Sequence, residues 1–209
     1  MGTGKLFIIS GPSCVGKTTL VTGFFRHHPD YPLRRVVTCT TRPRRPGEVD
    51  GQDYHFLSME DFERKIRQDA FLEFTPVYGT HLYGTLVESV LPFLDTYHLF
   101  LTIDVHGMQA IVNSHARFAS LAGRCVSIFL KPDDLKTLRR RLLKRRDSAE
   151  EIARRLESAD TELSYAEHYH HIIPSGTIEE NEAALHAIYR QETGASACAS
   201  AAAGPEGSP

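Results

Sequence analysis

The stretch from Lys5 to His28, KLFIISGPSCVGKTTLVTGFFRHH, decides the fold. Lys5 to Ser10 is a short apolar run that ends at Gly11 and Pro12, the pattern of a buried strand entering a tight turn. Lys17 to His28 carries Leu20, Val21, Phe24 and Phe25 on one side, the spacing of a helix, and Pro29 and Pro32 stop it. Between strand and helix, Gly11, Pro12, Ser13, Cys14, Val15, Gly16, Lys17 and Thr18 satisfy GxxxxGK[ST] in full, with Thr19 next. Each residue type has a reason. Glycines let the backbone turn and approach an oxyanion without a Cβ in the way. Loop N–H groups and the helix N-terminus point at phosphates. Lys17 supplies positive charge to the β and γ phosphates, and the Thr18 hydroxyl is the expected Mg²⁺ ligand. Cys14 stands where the motif accepts many residues.

Outward from this loop the chain alternates strand and helix. His98 to Ile103 and Cys125 to Leu130 are near-continuous apolar runs, which suit parallel strands covered on both faces. Val36 to Thr40 reads as a further strand and Ile172 with Ile173 as the last one. Helices are expected at Met59 to Gln68, Asp133 to Arg145, Ser148 to Tyr165 and Ile178 to Tyr189, with Ser148 and Glu151 forming a capping box. The class is α/β, a parallel sheet flanked by helices. The stretch from Val36 to about Tyr83 breaks the rhythm. Its Arg-, Pro- and Gly-rich loop at Arg42 to Gly51 and its aromatic hairpin at Phe71 to Gly84 read as an inserted subdomain of mixed strands. The expected division is a core of residues 1–35 and 86–190, an insertion of 36–85, and a tail of 191–209 too poor in large apolar groups to order itself.

Composition bounds the rest. A length of 209 residues suits one domain, or one core with a small insertion. The net charge of -2 excludes a global basic field for nucleic acid. The four cysteines make no CxxC pair and no metal-ligand spacing, so reduced thiols in a cytoplasmic protein are expected. The N-terminus has no signal-peptide pattern, and no run approaches the roughly 18 apolar residues of a membrane span. His168, His170 and His171 lack the rest of a ligand set, so no metal is expected there.

Asp104 closes the apolar run from Leu99 to Ile103. A carboxylate at the C-terminal end of a parallel strand sits where open α/β sheets bind ligands, though a helix N-cap would use the same residue. In the insertion, Arg42, Arg44 and Arg45 lie beside a turn, followed by Tyr54 and then Tyr83. Arginine forks match phosphate oxygens bidentately and tyrosine hydroxyls add neutral donors, so this set suits a phosphomonoester. Arg44 reads as a solvated charge, and either tyrosine could be a core aromatic instead. A lone carboxylate such as Glu73 suits guanine, because it accepts from both N1–H and the 2-amino group. Hydroxyls at Thr38 and Thr85 could complete that recognition; the competing reading of Glu73 is a surface acid. The seven basic residues Lys136, Arg139, Arg140, Arg141, Lys144, Arg145 and Arg146, with Arg154 and Arg155 beyond, read as a phosphate-closing lid, as a solvated basic face or as a non-specific nucleic-acid patch.

These segments in this order resemble the guanylate kinases, over roughly residues 5 to 190. The family pattern has a GPSGxGKST-like loop, a TTRxPRxGExxGxDYxF segment, an FxE segment, a YG[ST] segment and an IDxQG segment. The matching positions are Gly11 to Thr19, Thr40 to Phe56, Phe71 to Glu73, Tyr83 to Thr85 and Ile103 to Gly107. The resemblance implies a P-loop core, a GMP-binding subdomain and a mobile helical lid, the last at about residues 131–160. It implies an enzyme of purine nucleotide metabolism that moves the γ-phosphoryl of Mg²⁺-bound ATP onto GMP. It places Arg42, Arg45, Tyr54 and Tyr83 on the GMP phosphate, Thr38, Glu73 and Thr85 on guanine, and Asp104 in the same site, reaching Mg²⁺ through water. Lys17, Arg45, Arg145 and Arg155 are then the catalytic cations, with Lys144 competing for the place of Arg145. ATP and GMP are the implied partners, without nucleic acid or membrane, in a monomer or homodimer. The chain departs from the pattern at Thr102, where the family has an acid, at His106, where it has Gln, and at Pro174-Ser175-Gly176, where it often has an Asn-Asp pair. A repeated Tyr-Gly-Thr also makes Tyr78 a competitor for the role of Tyr83.

Overall fold

The computed structural model describes residues 4–77, 81–143 and 149–195. The elements run β1 (Leu6–Ser10), α1 (Lys17–His27), β2 (Leu33–Arg35), β3 (Cys39–Thr40), β4 (His55–Phe56), α2 (Met59–Arg67), β5 (Phe71–Val77), β6 (His81–Leu86), β7 (His98–Thr102), α3 (Val105–Asn113), β8 (Cys125–Lys131), α4 (Leu135–Leu143), α5 (Ala149–Ser164), β9 (His171–Pro174) and α6 (Ile178–Thr193). Five strands form one sheet in the order β2-β7-β1-β8-β9, with every pairing parallel. Four form a second, mixed sheet in the order β4-β3-β6-β5.

The apolar runs explain the first sheet. β1 is wholly buried because both its faces are covered. Leu6 and Ile8 pack with Leu99, Leu101 and the α3 residues Val105 and Ile111. Phe7 and Ile9 turn the other way, onto Phe24 of α1 and Leu185 and Tyr189 of α6. With β1 in the middle, its C-terminal end carries the glycine loop to the centre of the sheet's edge, beside the ends of β7 and β8. A separate small core of Cys39, Phe62, Phe71 and Leu86 holds the second sheet against α2.

Several boundaries differ from the sequence reading. Of the strand expected at Val36 to Thr40 only Cys39–Thr40 is one, β3 of the second sheet; β2, which pairs with β7, precedes that range. The chain crosses between sheets at residues 36–38. Val36 N–H still donates to Phe100 in β7, while Thr38 C=O accepts from His55 N–H. β2 escaped notice because a half-exposed edge strand holding Arg34 and Arg35 has no apolar run. α3 was not expected either, since Gly107 and two valines weaken its helical signal. α6 continues to Thr193 and ends on Gly194 at φ 68, so residues 191–193, expected in the tail, are helical. The expected cap at Ser148 lies outside the described residues; among the described residues a capping box is formed by Thr177 with Glu180.

Candidate active site

The loop between β1 and α1 turns on two glycines. Gly11 has φ 137, and a Cβ there would stand 2.4 Å from the Leu130 carbonyl oxygen; Gly16 has φ 119. Only glycine meets both demands without strain. Cys14 also adopts a positive φ, of 65. Lys17 Nζ donates to the carbonyls of Gly11 and, at 3.1 Å, Pro12, so its ammonium lies over the loop. Two helices reach the same loop. Arg155 of α5 donates to Ser13 Oγ at 2.9 Å, and Arg141 of α4 donates to Val15 O at 2.9 Å.

One cleft of about 440 Å³ joins the loop to the second sheet. Ser13, Cys14, Lys17, Thr18 and Asp104 line one part of it, Thr38, Arg42, Arg45, Tyr54 and Tyr83 another, and Arg155 belongs to it as well. Residues up to 142 positions apart are thus brought to a single space. Arg44 is exposed, in keeping with a solvated charge. Arg145, Lys144 and Tyr78 lie outside the described residues. Asp104 satisfies both of its readings: its Oδ1 caps α3 by accepting from Gly107 N–H at 2.8 Å, and it lines the cleft beside Thr18.

Arg42 is held from three directions. Its Nε donates to Tyr83 Oη at 3.2 Å, its Nη1 to Pro43 O at 2.6 Å, and its Nη2 to Glu48 Oε1 at 2.7 Å. The other oxygen of Glu48 accepts from Arg45 N–H at 2.7 Å. Glu48 therefore pins both arginines, and the sequence reading passed over it. Its signal was local: an acid three residues after Arg45 closes a turn, with Glu48 N–H on Arg45 O. Burial would raise the Glu48 carboxyl, but the bonds from Arg42 and Arg45 outweigh it and hold the group below the usual range. Tyr54 lies edge-on to Tyr83 at 5.8 Å, and burial pushes its phenol upward.

Glu73 and Thr85 face each other across β5 and β6, both buried, with Thr85 Oγ1 donating to Glu73 Oε1 at 2.6 Å. They do not line the main cleft. Glu73 is no surface acid: only 6% of it is exposed. Burial pushes its carboxyl up to about 7; the Thr85 bond opposes this, and the charge of Asp104 adds to it. The second oxygen of Glu73 points at Gly107, where a Cβ would come within 3.1 Å of it.

Beyond Cys14 opens another pocket, of about 260 Å³, between the loop, Arg141 and the turn from Ser175 to Asn181. A groove of about 300 Å³ along Gly16, Lys17, Thr18 and Thr19 adjoins it. The sequence reading has Arg141 in the basic cluster of the lid and Ser175 where the family often has an Asn-Asp pair, but not Asn181, because residues far along the chain meet here only through tertiary packing.

The described residues thus include a carboxylate bonded to a hydroxyl, an arginine bonded to a tyrosine, and a glycine loop at the start of a helix. Residues 3–192 match the family described as guanylate kinase. The chain belongs to the guanylate kinase family. A guanylate kinase of Pasteurella multocida (strain Pm70) is 37% identical over 197 residues, covering 92% of this chain and 90% of that protein. One from Methylococcus capsulatus (strain Bath) is 40% identical over 175 residues, covering 83% and 81%. The crystal structure of guanylate kinase from Anaplasma phagocytophilum superposes with a TM-score of 0.74 at 26% identity, covering 92% of this chain and 88% of that one. As expected for this family, the parallel core and the mixed sheet are separate structures that share one cleft.

Proposed function

We propose that this chain transfers the γ-phosphoryl group of ATP to GMP, giving ADP and GDP. The observation that carries the reading is the one cleft shared by Arg42, Arg45, Tyr54 and Tyr83 with Lys17 and Thr18; the buried Glu73–Thr85 pair lies outside its lining, with Thr85 two residues along β6 from Tyr83. GMP then lies with its guanine N1–H and 2-amino group on Glu73, supported by Thr38 and Thr85, and with its phosphate in the cage. Adenine offers no matching pair of donors. ATP phosphates lie in the Gly11–Thr18 loop, where backbone N–H groups and the start of α1 supply the positive field. Core, insertion and lid correspond to residues 1–35 with 86–190, 36–85 and about 131–160.

The chemistry asks little covalent work of the protein. The GMP phosphate oxygen is already anionic and attacks the γ-phosphorus in line, so no general base is needed. Lys17, Arg45, Arg155 and, from the lid, Arg145 spread positive charge around the transferring group. Closure of α4 and α5 excludes water and suppresses hydrolysis of ATP. The oxygen donors fit Mg²⁺: Thr18 and Asp104 line the cleft together, and among the described residues no cluster of three ligating side chains would hold a metal alone. Thr18 and Asp104 would be the residues to hold such an ion together with the phosphates. When bound, Mg²⁺ supplies charge neutralisation between the β and γ phosphates. No helix among the described residues is long and apolar enough to cross a membrane. From the family reading we take the chain to work in the cytoplasm, as a monomer or homodimer.

The test is ADP formation from ATP and Mg²⁺ with GMP, AMP, CMP, UMP and ribose phosphates offered separately. Turnover confined to GMP and dGMP supports the reading. GMP binding without turnover of any acceptor would leave a binding module instead.

A further inference from the structure

Arg35 closes β2 in the parallel sheet and lines the cleft beside Lys17, Thr18 and Tyr54. Strand alternation decides where its side chain goes. Leu33, two residues earlier, packs into the core under α1 and α6, whereas Val36 belongs to the core on the other side. Arg35 pairs with Phe100 of β7, whose ring packs at 5.5 Å from that of Phe24 in α1. Arg35 therefore lies on the α1 side, where that helix starts with Lys17 and Thr18. Its charge is also felt at the Tyr54 phenol, whose upward shift it opposes.

Other cations of the cleft are anchored to the protein. Arg42 is bonded to Glu48, Arg155 to Ser13 and Lys17 to the loop carbonyls. Arg35 is half-buried, and among the described residues its guanidinium has no hydrogen-bond acceptor and no ion-pair partner. The acids of the cleft are engaged elsewhere: Glu48 by Arg42, Asp53 by Val49 N–H and Asp104 by Gly107 N–H. At position 102, where the family pattern has an acid, a threonine lines the cleft, so no carboxylate stands there to neutralise Arg35.

A partly desolvated guanidinium with unpaired donors is stabilised by an anion, and its planar fork fits phosphate oxygens. In-line transfer must bring one phosphate up to another, and a cation beside both lowers their repulsion. We propose that Arg35 is a further binding residue for the acceptor phosphate, by which the core sheet adds a guanidinium to the arginines and tyrosines of the insertion. The proposal rests on the reading of GMP as acceptor, and deepens it.

The test compares wild type with Arg35→Met, which keeps an unbranched stem without charge, and Arg35→Lys, which keeps charge without the fork. By calorimetry Arg35→Met should weaken GMP ~10- to 100-fold, while guanosine, which lacks the phosphate, and ADP bind as before. Arg35→Lys should lose less, and kcat/KM for GMP should fall in step with GMP affinity in both variants while KM for ATP holds. The 31P resonance of bound GMP should move in both variants, and those of bound ADP should not. Parallel losses for GMP and guanosine would mean a disturbed site and overturn the proposal. So would GMP affinity within about twofold of wild type in Arg35→Met. A wild type that binds neither GMP nor guanosine would remove the acceptor reading itself, and the proposal with it.

Discussion

Thr85 gives its hydroxyl proton to Glu73 at 2.6 Å inside a wall where neither side chain meets bulk water. Burial, opposed by that bond and aided by Asp104, sets the Glu73 carboxyl at about 7. Guanine needs it as the anion, accepting two N–H bonds.

GMP binding should therefore be linked to a proton. Binding favours the carboxylate, so GMP expels a proton from Glu73, and affinity weakens by up to about tenfold per pH unit below 7. The stability of the free protein moves the other way. Between the unfolded value of 4.5 and about 7 the native state holds the extra proton, so this group's contribution to stability falls as pH rises through that window. Calorimetry of GMP binding at pH 7 in two buffers of different ionisation enthalpy reads the release, with Glu73→Gln as the control; equal enthalpies for both proteins would remove Glu73 from the site.

Glu48 should prove a positioning residue for the acceptor phosphate. Glu48→Ala leaves the buried Arg42 guanidinium without its carboxylate and the Arg45 N–H without its acceptor. We expect a loss of roughly 1–3 kcal/mol in stability, since a buried partner is left unsatisfied. We also expect KM for GMP to rise ~10-fold while KM for ATP holds. Denaturant midpoints and the two KM values check this. A variant with normal GMP kinetics would make the Glu48 pair structural only.

Gly107→Ala tests the setting of Glu73 from behind. The new methyl group would stand 3.1 Å from Glu73 Oε2 and 3.2 Å from Ile103 Cδ1, so the carboxylate must shift by a few tenths of an ångström. Displacements of this order cost reaction geometry dearly. KM for GMP should rise several-fold with the melting temperature little changed, and steady-state kinetics with each substrate varied in turn decide the matter.

Lys17→Ala should abolish turnover while leaving the fold, because Lys17 lies over the loop, donating to the carbonyls of Gly11 and Pro12, and supplies charge to the transferring phosphate. Near-normal kcat in a variant with a native circular dichroism spectrum would refute the assignment.

Much of this was legible along the chain because it is written locally. GxxxxGK[ST] between an apolar run and an amphipathic segment is a strand, a turn and a helix whose physics involves neighbours in sequence alone. The buried runs of β1, β7 and β8 likewise announce a sheet covered on both faces. Local pattern along the chain was enough for the parallel core, the phosphate loop and the residue types read as serving the second nucleotide. Tertiary structure decided how those residues are aimed. In β5 the pairing slips by one residue between Phe71 and Glu73, so Phe71, Leu72 and Glu73 are all buried and Glu73 lands opposite Thr85. Alternation read along the strand would have put Leu72 and Glu73 on opposite faces. The double role of Asp104, the pinning of Arg42 through Tyr83 and the meeting of Asn181 with the glycine loop have the same cause. Each depends on which distant backbone carries the partner, and packing between sheets and helices, not local pattern, sets that distance.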